Sequence, residues 1–325
     1  MKKTKKEMIN PAVAAFPLCR QTFRSKVTKH WQFYLIVALP ILFFRVFIYF
    51  PMYGILLAFK NRYSVSKGIW NSAWAQPYGL GQFIKFLSNP SALRTMWNTF
   101  SISMYALFAS IPLAVIMAIC LNECRSQKWK KAVQLVTYAP YFISTVVMVA
   151  ILLQFLDPSM GVFNGLRRLL GLKTINYMGE PKLFKHIYVW SALWQNTGYN
   201  AIIYLAALTG INPELYEAAR VDGVNKWQKI WHVDLPCIRS TIIIMFIMNM
   251  GYVMSLGFEK VFLMQNALNL ETSEIMSTYV YKMGLLSSDF AYSTAIDLLN
   301  SVINIILILT FNKLTKLVSD EGGIW

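Results

Sequence analysis

The chain has 325 residues, 56% of them apolar and only 14% charged, with a mean hydropathy of +0.44. Soluble domains carry about 25% charged residues, so this composition excludes an ordinary soluble domain and indicates an integral membrane protein. The formal net charge of +16 is no sign of nucleic-acid binding, because the basic residues are scattered around apolar stretches, as membrane topology requires.

Residues 1–30 form a basic arm carrying Lys2, Lys3, Lys5, Lys6, Arg20, Arg24, Lys26 and Lys29. The arm starts like a signal peptide, but its apolar part, 12–18, is short and broken by Pro17. We read it as uncleaved, cytoplasmic and lying partly on the anionic inner leaflet. Residues 31–325 form one membrane domain without a large soluble insertion. Six apolar stretches predict six transmembrane helices, over about 32–59, 97–121, 132–156, 186–211, 240–258 and 291–311. With the N-terminus inside, the inner segments hold 18 Lys and Arg and the longer outer loops hold 12. That bias places both termini and residues 212–236 in the cytoplasm.

Residues 212–236 are a polar island between the fourth and fifth spans. Asn212 and Pro213 predict a helix start, and the helix runs to about Val221. Asp222-Gly223 is turn chemistry, with Gly223 free to take positive φ. Asn225 and Gln228 form a capping-box pattern for a second helix, which Leu235-Pro236 is expected to close. The two helices make a docking surface. Ala218 and Ala219 allow close approach, while Glu217 and Arg220 supply charged contacts.

Polar residues inside apolar spans mark either a wet path or contacts between helices. Span 4 carries Trp194, Gln195, Asn196, Thr197, Tyr199 and Asn200, and span 5 carries Asn249, Tyr252 and Ser255. In span 6, Thr294, Asp297, Ser301 and Asn304 share one helical face, with Asn300 beside it. Amides and hydroxyls suit sugar hydroxyls, and a Trp face suits a sugar ring. The candidate path is therefore Trp194, Gln195, Asn196, Asn200, Asn249, Tyr252, Asp297 and Asn304, with interhelical hydrogen bonding as the other reading. Arg45, at the centre of span 1, either snorkels, pairs with Asp297 or a partner chain, or attracts an anionic substrate.

Several chemistries find no residues to carry them. The dipeptide Gly-Lys is absent, so there is no P-loop, and His30, His186 and His232 match neither a triad nor a metal motif. No metal and no cofactor are expected in this chain. The four cysteines, Cys19, Cys120, Cys124 and Cys237, fall on or near the cytoplasmic side, where no disulfide is expected.

Glu217-Ala218-Ala219, then Gly223, then Val233-x-Leu235-Pro236 resembles the EAA loop of importer permeases of the ATP-binding-cassette class, with Val233 where the family has Ile. The resemblance implies an all-α permease of six helices whose EAA loop is a coupling helix. It implies coupling to ATP hydrolysis through Glu217, Ala218, Ala219, Asp222, Gly223, Leu235 and Pro236. ATP and Mg would sit on a separate dimer of ATPase subunits. Other implied partners are a second homologous permease chain and an extracytoplasmic solute-binding protein, in a bacterial cytoplasmic membrane, with no nucleic acid. The stretches 50–60, 138–144, 203–208 and 257–263 are similar to sugar-importer permeases of the maltose type. Those serving oligo- and polysaccharides, alginate importers among them, are more similar still. Rival readings are the same machine with a peptide, amino acid or polyol phosphate as cargo, or an ion-coupled secondary transporter built on Asp297 and Arg45. An intramembrane enzyme lacks the residues it would need.

Overall fold

The computed structural model describes residues 31–318 except 65 and 67. The basic arm predicted over 1–30 lies outside the described residues. Residues 31–54 fall in one compact unit and residues from 55 onward in a second. In the first, α1 (Trp31–Phe44) is apolar on every face and carries Pro40. It widens into a π turn at Arg45–Tyr49, closed by the Phe50 N–H to the Arg45 carbonyl. A 3-10 stretch, Phe50–Phe59, follows.

The second unit is all helical among the described residues, apart from one bridge between Lys60 and Trp74. After α2 (Gly81–Leu87) comes the 34-residue α3 (Pro90–Glu123), which starts at Pro90 because the Asn89 side chain accepts the Ser91 N–H at 2.9 Å. Then follow α4 (Gln127–Tyr138), α5 (Thr145–Phe155), α6 (Val162–Leu169) and the 29-residue α7 (Pro181–Thr209). The polar island holds α8 (Pro213–Val221) and α9 (Lys226–Lys229). Beyond it lie α10 (Leu235–Cys237), α11 (Arg239–Met250), α12 (Phe258–Met264), α13 (Leu270–Ser273), α14 (Met276–Tyr281) and α15 (Phe290–Val318).

The spine of this unit is the α3–α7 pair. Ala114, Val115 and Ala118 of α3 pack on Ala201, Tyr204 and Leu208 of α7, and small residues there allow close approach, as membrane helix pairs require. Toward the other end, Ile102 of α3 and Phe184, Val189 and Leu193 of α7 meet Val149 of α5 and Val261 of α12. A third cluster joins Phe86 of α2 to Met276 of α14 and Tyr292 and Ile296 of α15.

Trp31–Phe59, Pro90–Glu123 and Phe290–Lys316 are long and apolar enough to cross a membrane, and two bent helix pairs raise the number to five. α7 has the length of a sixth, but Gln195, Asn196 and Asn200 interrupt its apolar surface.

Three expectations need correction. The continuous span over 132–156 is two helices, α4 and α5, meeting at 101° across a 3-10 turn, Ala139–Phe142, that contains Pro140. Proline removes a helical N–H, and α7 answers the break from outside. The Gln195 side chain donates to the Ile143 carbonyl at 2.9 Å, and Tyr199 stacks on Tyr141 at 3.7 Å. A Cβ on Gly198 would run into the Thr137 carbonyl, so α4 crosses α7 backbone to side.

The span expected over 240–258 stops at Met250, and turns follow from Gly251 to Met254. The freed backbone is satisfied by α15. Asn304 donates to the Gly251 carbonyl and accepts the Met254 N–H at 3.4 Å, while Asn300 donates to the Met254 carbonyl at 3.0 Å. Irregular backbone inside a membrane survives where protein supplies such partners or where it lines a wet cavity.

Finally, Leu235-Pro236 does not end the helix before it. Leu235 is helical, with φ −64° and ψ −44°, because the preceding turn, Ile230–Asp234, is a π turn whose wider spacing accommodates the proline ring. The break falls at Ile238, and the two arms meet at 59°.

Candidate translocation path and coupling loop

One cavity of about 220 Å³ opens between α3, α7 and the end of α11. It gathers four of the eight candidate path residues: Asn196, Asn200, Asn249 and Tyr252. Asn196 and Asn249 each donate one amide N–H to their own helix, at the Ala192 and Met245 carbonyls. Ser103 and Ser110 of α3 and Thr197 of α7 complete the polar wall. The hydroxyls of Ser103 and Thr197 are buried without a hydrogen-bond partner among the described residues, and Ser103 is only 6% exposed. A buried hydroxyl without a partner is costly, and these two lie within the wall, closed off from the cavity itself. Apolar residues, including Leu107, Val189, Leu193 and Val253, fill the rest of the wall.

The other four candidates lie elsewhere. Gln195 and Asn304 hold the broken ends of the α4–α5 and α11 segments, so their amides serve backbone. Trp194 and Asp297 are exposed and do not line the cavity. Ser103 and Ser110 escaped the sequence reading because serine is unremarkable in an apolar helix. Their seven-residue spacing, which puts both on one face, was the available signal.

The coupling loop is built as its residues dictate. Asn212 accepts the Glu214 N–H at 3.1 Å and Pro213 takes the first helical position. At the far end, Gly223 has φ +68°, its N–H reaches the Arg220 carbonyl, and the Val224 N–H reaches the Ala219 carbonyl at 3.0 Å. These are the two bonds of a Schellman motif. Asn225 and Gln228 close a capping box with both bonds at 2.9 Å. Glu217, Ala218, Asp222 and Gly223 are exposed, whereas Ala219 is buried. Ala218, Ala219 and Asp222 line a groove of about 340 Å³ between α8 and the second arm, opposite His232 and Val233. Leu235 and Pro236 lie in the bent arm rather than in that groove. Val221, Trp227 and Trp231 stand exposed beside it, an apolar patch of the kind that marks an interaction surface.

Four residues that the sequence reading did not single out lock this loop together. The Tyr216 hydroxyl donates to the buried Asp234 carboxylate at 2.8 Å. Lys229 lies 3.9 Å from the other Asp234 oxygen and pairs with Glu123 at the end of α3. Burial, reinforced by the Asp234 carboxylate, pushes the pKa of the Tyr216 hydroxyl well above its ordinary range, so the hydroxyl keeps its proton. The network ties α8 to the bent arm and both to α3.

A family model described as binding-protein-dependent transport system inner membrane component matches residues 110–319, which span α3 to α15 and the whole coupling loop. Protein LplB of Bacillus subtilis strain 168 is 38% identical over 289 residues, covering 89% of this chain and 90% of that relative. The polygalacturonan/rhamnogalacturonan transport system permease protein YteP of the same strain is 35% identical over 303 residues, 93% of each chain. Among solved structures, a bacterial alginate ABC transporter in complex with an alginate pentasaccharide-bound periplasmic protein superposes with a TM-score of 0.83 at 31% identity. The match covers 92% of this chain and 99% of that one.

Proposed function

We propose, for a chain that belongs to the family of binding-protein-dependent transport system inner membrane components, that it forms half of the membrane path for an oligosaccharide or polysaccharide fragment. It is a permease of the ATP-binding-cassette importer class, and the sugar-importer reading is favoured over an ion-coupled transporter. The observation that carries the path is the convergence of Asn196, Asn200, Asn249 and Tyr252 on one cavity between α3, α7 and α11. Relatives at 35% and 31% identity handle polygalacturonan or rhamnogalacturonan and the acidic polysaccharide alginate, which supports an acidic sugar as cargo.

In this reading a loaded solute-binding protein docks on the outer loops. A second, homologous permease chain completes the pore. Two ATPase subunits, carrying ATP and Mg, each receive one coupling loop, with the Ala218–Ala219 groove and the exposed Trp227 and Trp231 as the contact surface. Both termini are then cytoplasmic. Closure of the ATPase dimer moves α8, and the Tyr216–Asp234–Lys229–Glu123 network passes that movement to α3.

The test is a gentle-detergent pull-down of the tagged chain with every co-purifying subunit identified by mass, followed by uptake assays in vesicles. Recovery of a second permease and a P-loop ATPase, with Asn200→Ala and Asn249→Ala raising the KM for a galacturonate or mannuronate oligosaccharide, supports the reading. Recovery of the chain alone, with uptake driven by an ion gradient, overturns it.

A further inference from the structure

The short helix α6 is inverted relative to a helix on the surface of a soluble protein, because its polar side faces the protein. Asn164 is fully buried. Its amide donates to the Asp157 and Ile175 carbonyls at 3.1 and 2.9 Å and accepts the Ile175 N–H at 2.9 Å. At about 100° per residue, Val162, Phe163, Leu166, Leu169 and Leu170 fall on the opposite side, within an arc of about 120°. All five are exposed, Leu169 by 85% and Leu170 by 75%. Gly171, at φ +70°, ends the helix, with its N–H on the Arg168 carbonyl and the Leu172 N–H on the Arg167 carbonyl. The chain then doubles back, and the Arg167 Nε donates to the Lys173 carbonyl at 2.8 Å. Segment 173–175 thus covers the polar side and leaves the leucines bare.

The depth of the helix says what covers them. Leu156, just before α6, and Met178, just after it, pack with Phe184 and Tyr188 at the start of α7. The 29 residues of α7 carry the chain about 43 Å from there to the edge of the coupling loop. A bilayer with its headgroups is about 40–45 Å thick, so α6 lies at headgroup level on the far side. Arg168 and Lys173 are exposed and form no ion pair among the described residues. Asp157, the acid at the start of this loop, is occupied by the Ser159 hydroxyl and the Ser159 and Met160 N–H groups. A bare leucine face with two uncompensated cations matches an anionic phospholipid surface, which offers acyl chains to the one and phosphate oxygens to the others.

We propose that α6 is an interfacial foot that seats the loop between α5 and α7 in the bilayer. Its leucines enter the acyl layer, and Arg168 and Lys173 take the phosphates of anionic phospholipids. Seated in this way, α6 fixes the outer end of α5, which packs on α7 and α12. The inference stands apart from the importer reading, since it needs the depth of α6 and not the identity of the cargo.

The test uses the purified complex with its co-assembled subunits, in nanodiscs of mixed phosphatidylcholine and phosphatidylglycerol. A small fluorophore is attached to Leu169→Cys, in a background where Cys19, Cys120, Cys124 and Cys237 are replaced by serine. Its quenching is measured with nitroxide-bearing phosphatidylcholine, with nitroxide-bearing phosphatidylglycerol and with acrylamide in the water. Both lipids are expected to quench, acrylamide to quench little, and phosphatidylglycerol to quench about fivefold better than phosphatidylcholine at low salt. Raising salt from about 0.05 M to about 0.5 M should bring that ratio toward one. The double substitution Arg168→Gln, Lys173→Gln, at two exposed positions, should do the same. A fluorophore at Thr174→Cys, on the covering segment, should show the reverse pattern, open to acrylamide and shielded from lipid. Quenching at position 169 by acrylamide and not by lipid overturns the proposal, because the leucines then face water. Quenching by none of the three overturns it too, because a protein partner then covers them. Equal quenching by the two lipids in the wild type overturns it as well, as does a phosphatidylglycerol preference that survives the double substitution.

Discussion

The Tyr216 hydroxyl donates to Asp234 at 2.8 Å, a bond between residues 18 apart that joins the helix carrying Glu217, Ala218 and Ala219 to the bent arm leading into the membrane. Asp234 is fully buried, and among the described residues its second oxygen has only Lys229 nearby, at 3.9 Å. Removing one partner from a buried polar pair leaves the other to bear its desolvation, about 1–3 kcal/mol. Tyr216→Phe is therefore expected to loosen α8 from the arm without altering the docking groove. In reconstituted complexes, ATP hydrolysed per solute imported should rise, while ATPase binding persists. An unchanged ratio would show that the Tyr216–Asp234 bond carries no coupling.

Asn304 and Asn300 hold the frayed end of α11 in place from α15. Asn304→Leu removes two hydrogen bonds that hold the backbone at Gly251 and Met254. The expected outcome is a lower melting temperature in detergent and a smaller yield of folded complex, with no change in which sugar is chosen among the surviving molecules. A selective shift in substrate preference at unchanged stability would return Asn304 to the path.

Gly198 and Gly165 offer a controlled pair. A Cβ at Gly198 meets the Thr137 carbonyl, whereas a Cβ at Gly165 in α6 meets nothing within 4 Å. Gly198→Ala must push α4 away from α7, moving the Tyr141–Tyr199 stack and the Gln195 bond that hold the break. We expect a loss of about 1–3 kcal/mol, the usual cost of overpacking a filled contact. Gly165→Ala should be neutral or stabilising, because alanine is the better helix former. Thermal melts of the two variants side by side check this, and equal melts would remove the close crossing as an explanation for glycine at 198.

The sequence was most informative where the structure is local. Asn212, Gly223 and the Asn225–Gln228 pair act within a few residues of themselves, so their capping roles were readable from residue type and spacing alone. The breaks at Pro140 and Gly251 were not readable. Whether a proline or glycine in an apolar run kinks, ends or merely decorates a helix depends on who satisfies the freed backbone. Here the answers are Gln195, 52 residues from Ile143, and Asn304, 53 residues from Gly251. The same fact sorted the candidate path. Polar residues in spans 4, 5 and 6 looked alike in sequence, yet Gln195 and Asn304 face backbone while Asn196, Asn200, Asn249 and Tyr252 face a cavity. Asp234 carried no signal of its own in the sequence, and the structure buries it, with its carboxylate accepting from the Tyr216 hydroxyl.

Gly223 tests the turn itself. Its φ of +68° is the left-handed region, and nothing lies within 4 Å of an added Cβ. Any cost of substitution is therefore conformational rather than steric crowding, about 1–2 kcal/mol for an ordinary residue. Gly223→Val should lower transport by loosening the Schellman bonds to Ala219 and Arg220, whereas Gly223→Asn, which visits this region more easily, should retain most of it. Gly223→Asp puts a second carboxylate beside Asp222 on the surface proposed to meet the ATPase, so it should abolish transport through that charge rather than through the turn, and leave membrane insertion intact. Uptake that falls equally for the Asn and Val variants would point to a direct contact with the ATPase instead of a turn requirement.

Lys260 supplies a pH signature. It lies in α12, outside the apolar spans, 8% exposed, donating to the Tyr188 carbonyl at 3.2 Å and facing the Tyr188 ring at 4.9 Å. Burial, with no carboxylate partner among the described residues, pulls its pKa down from 10.5 to about 8. The unfolded chain thus binds a proton between pH 8 and 10.5 that the folded chain has released. Stability contributed by this group must therefore rise with pH across that window, and stay flat below and above it. The full gain is about 3 kcal/mol at most. Lys260→Met keeps the length of the side chain and removes the titration. Melting temperatures of the two forms should diverge least near pH 10.5 and most below pH 8, where the wild type carries a buried charge that methionine lacks. A wild-type profile that falls with pH through the same window would mean that an acidic group outside α12 holds Lys260 charged, and the burial argument would fail.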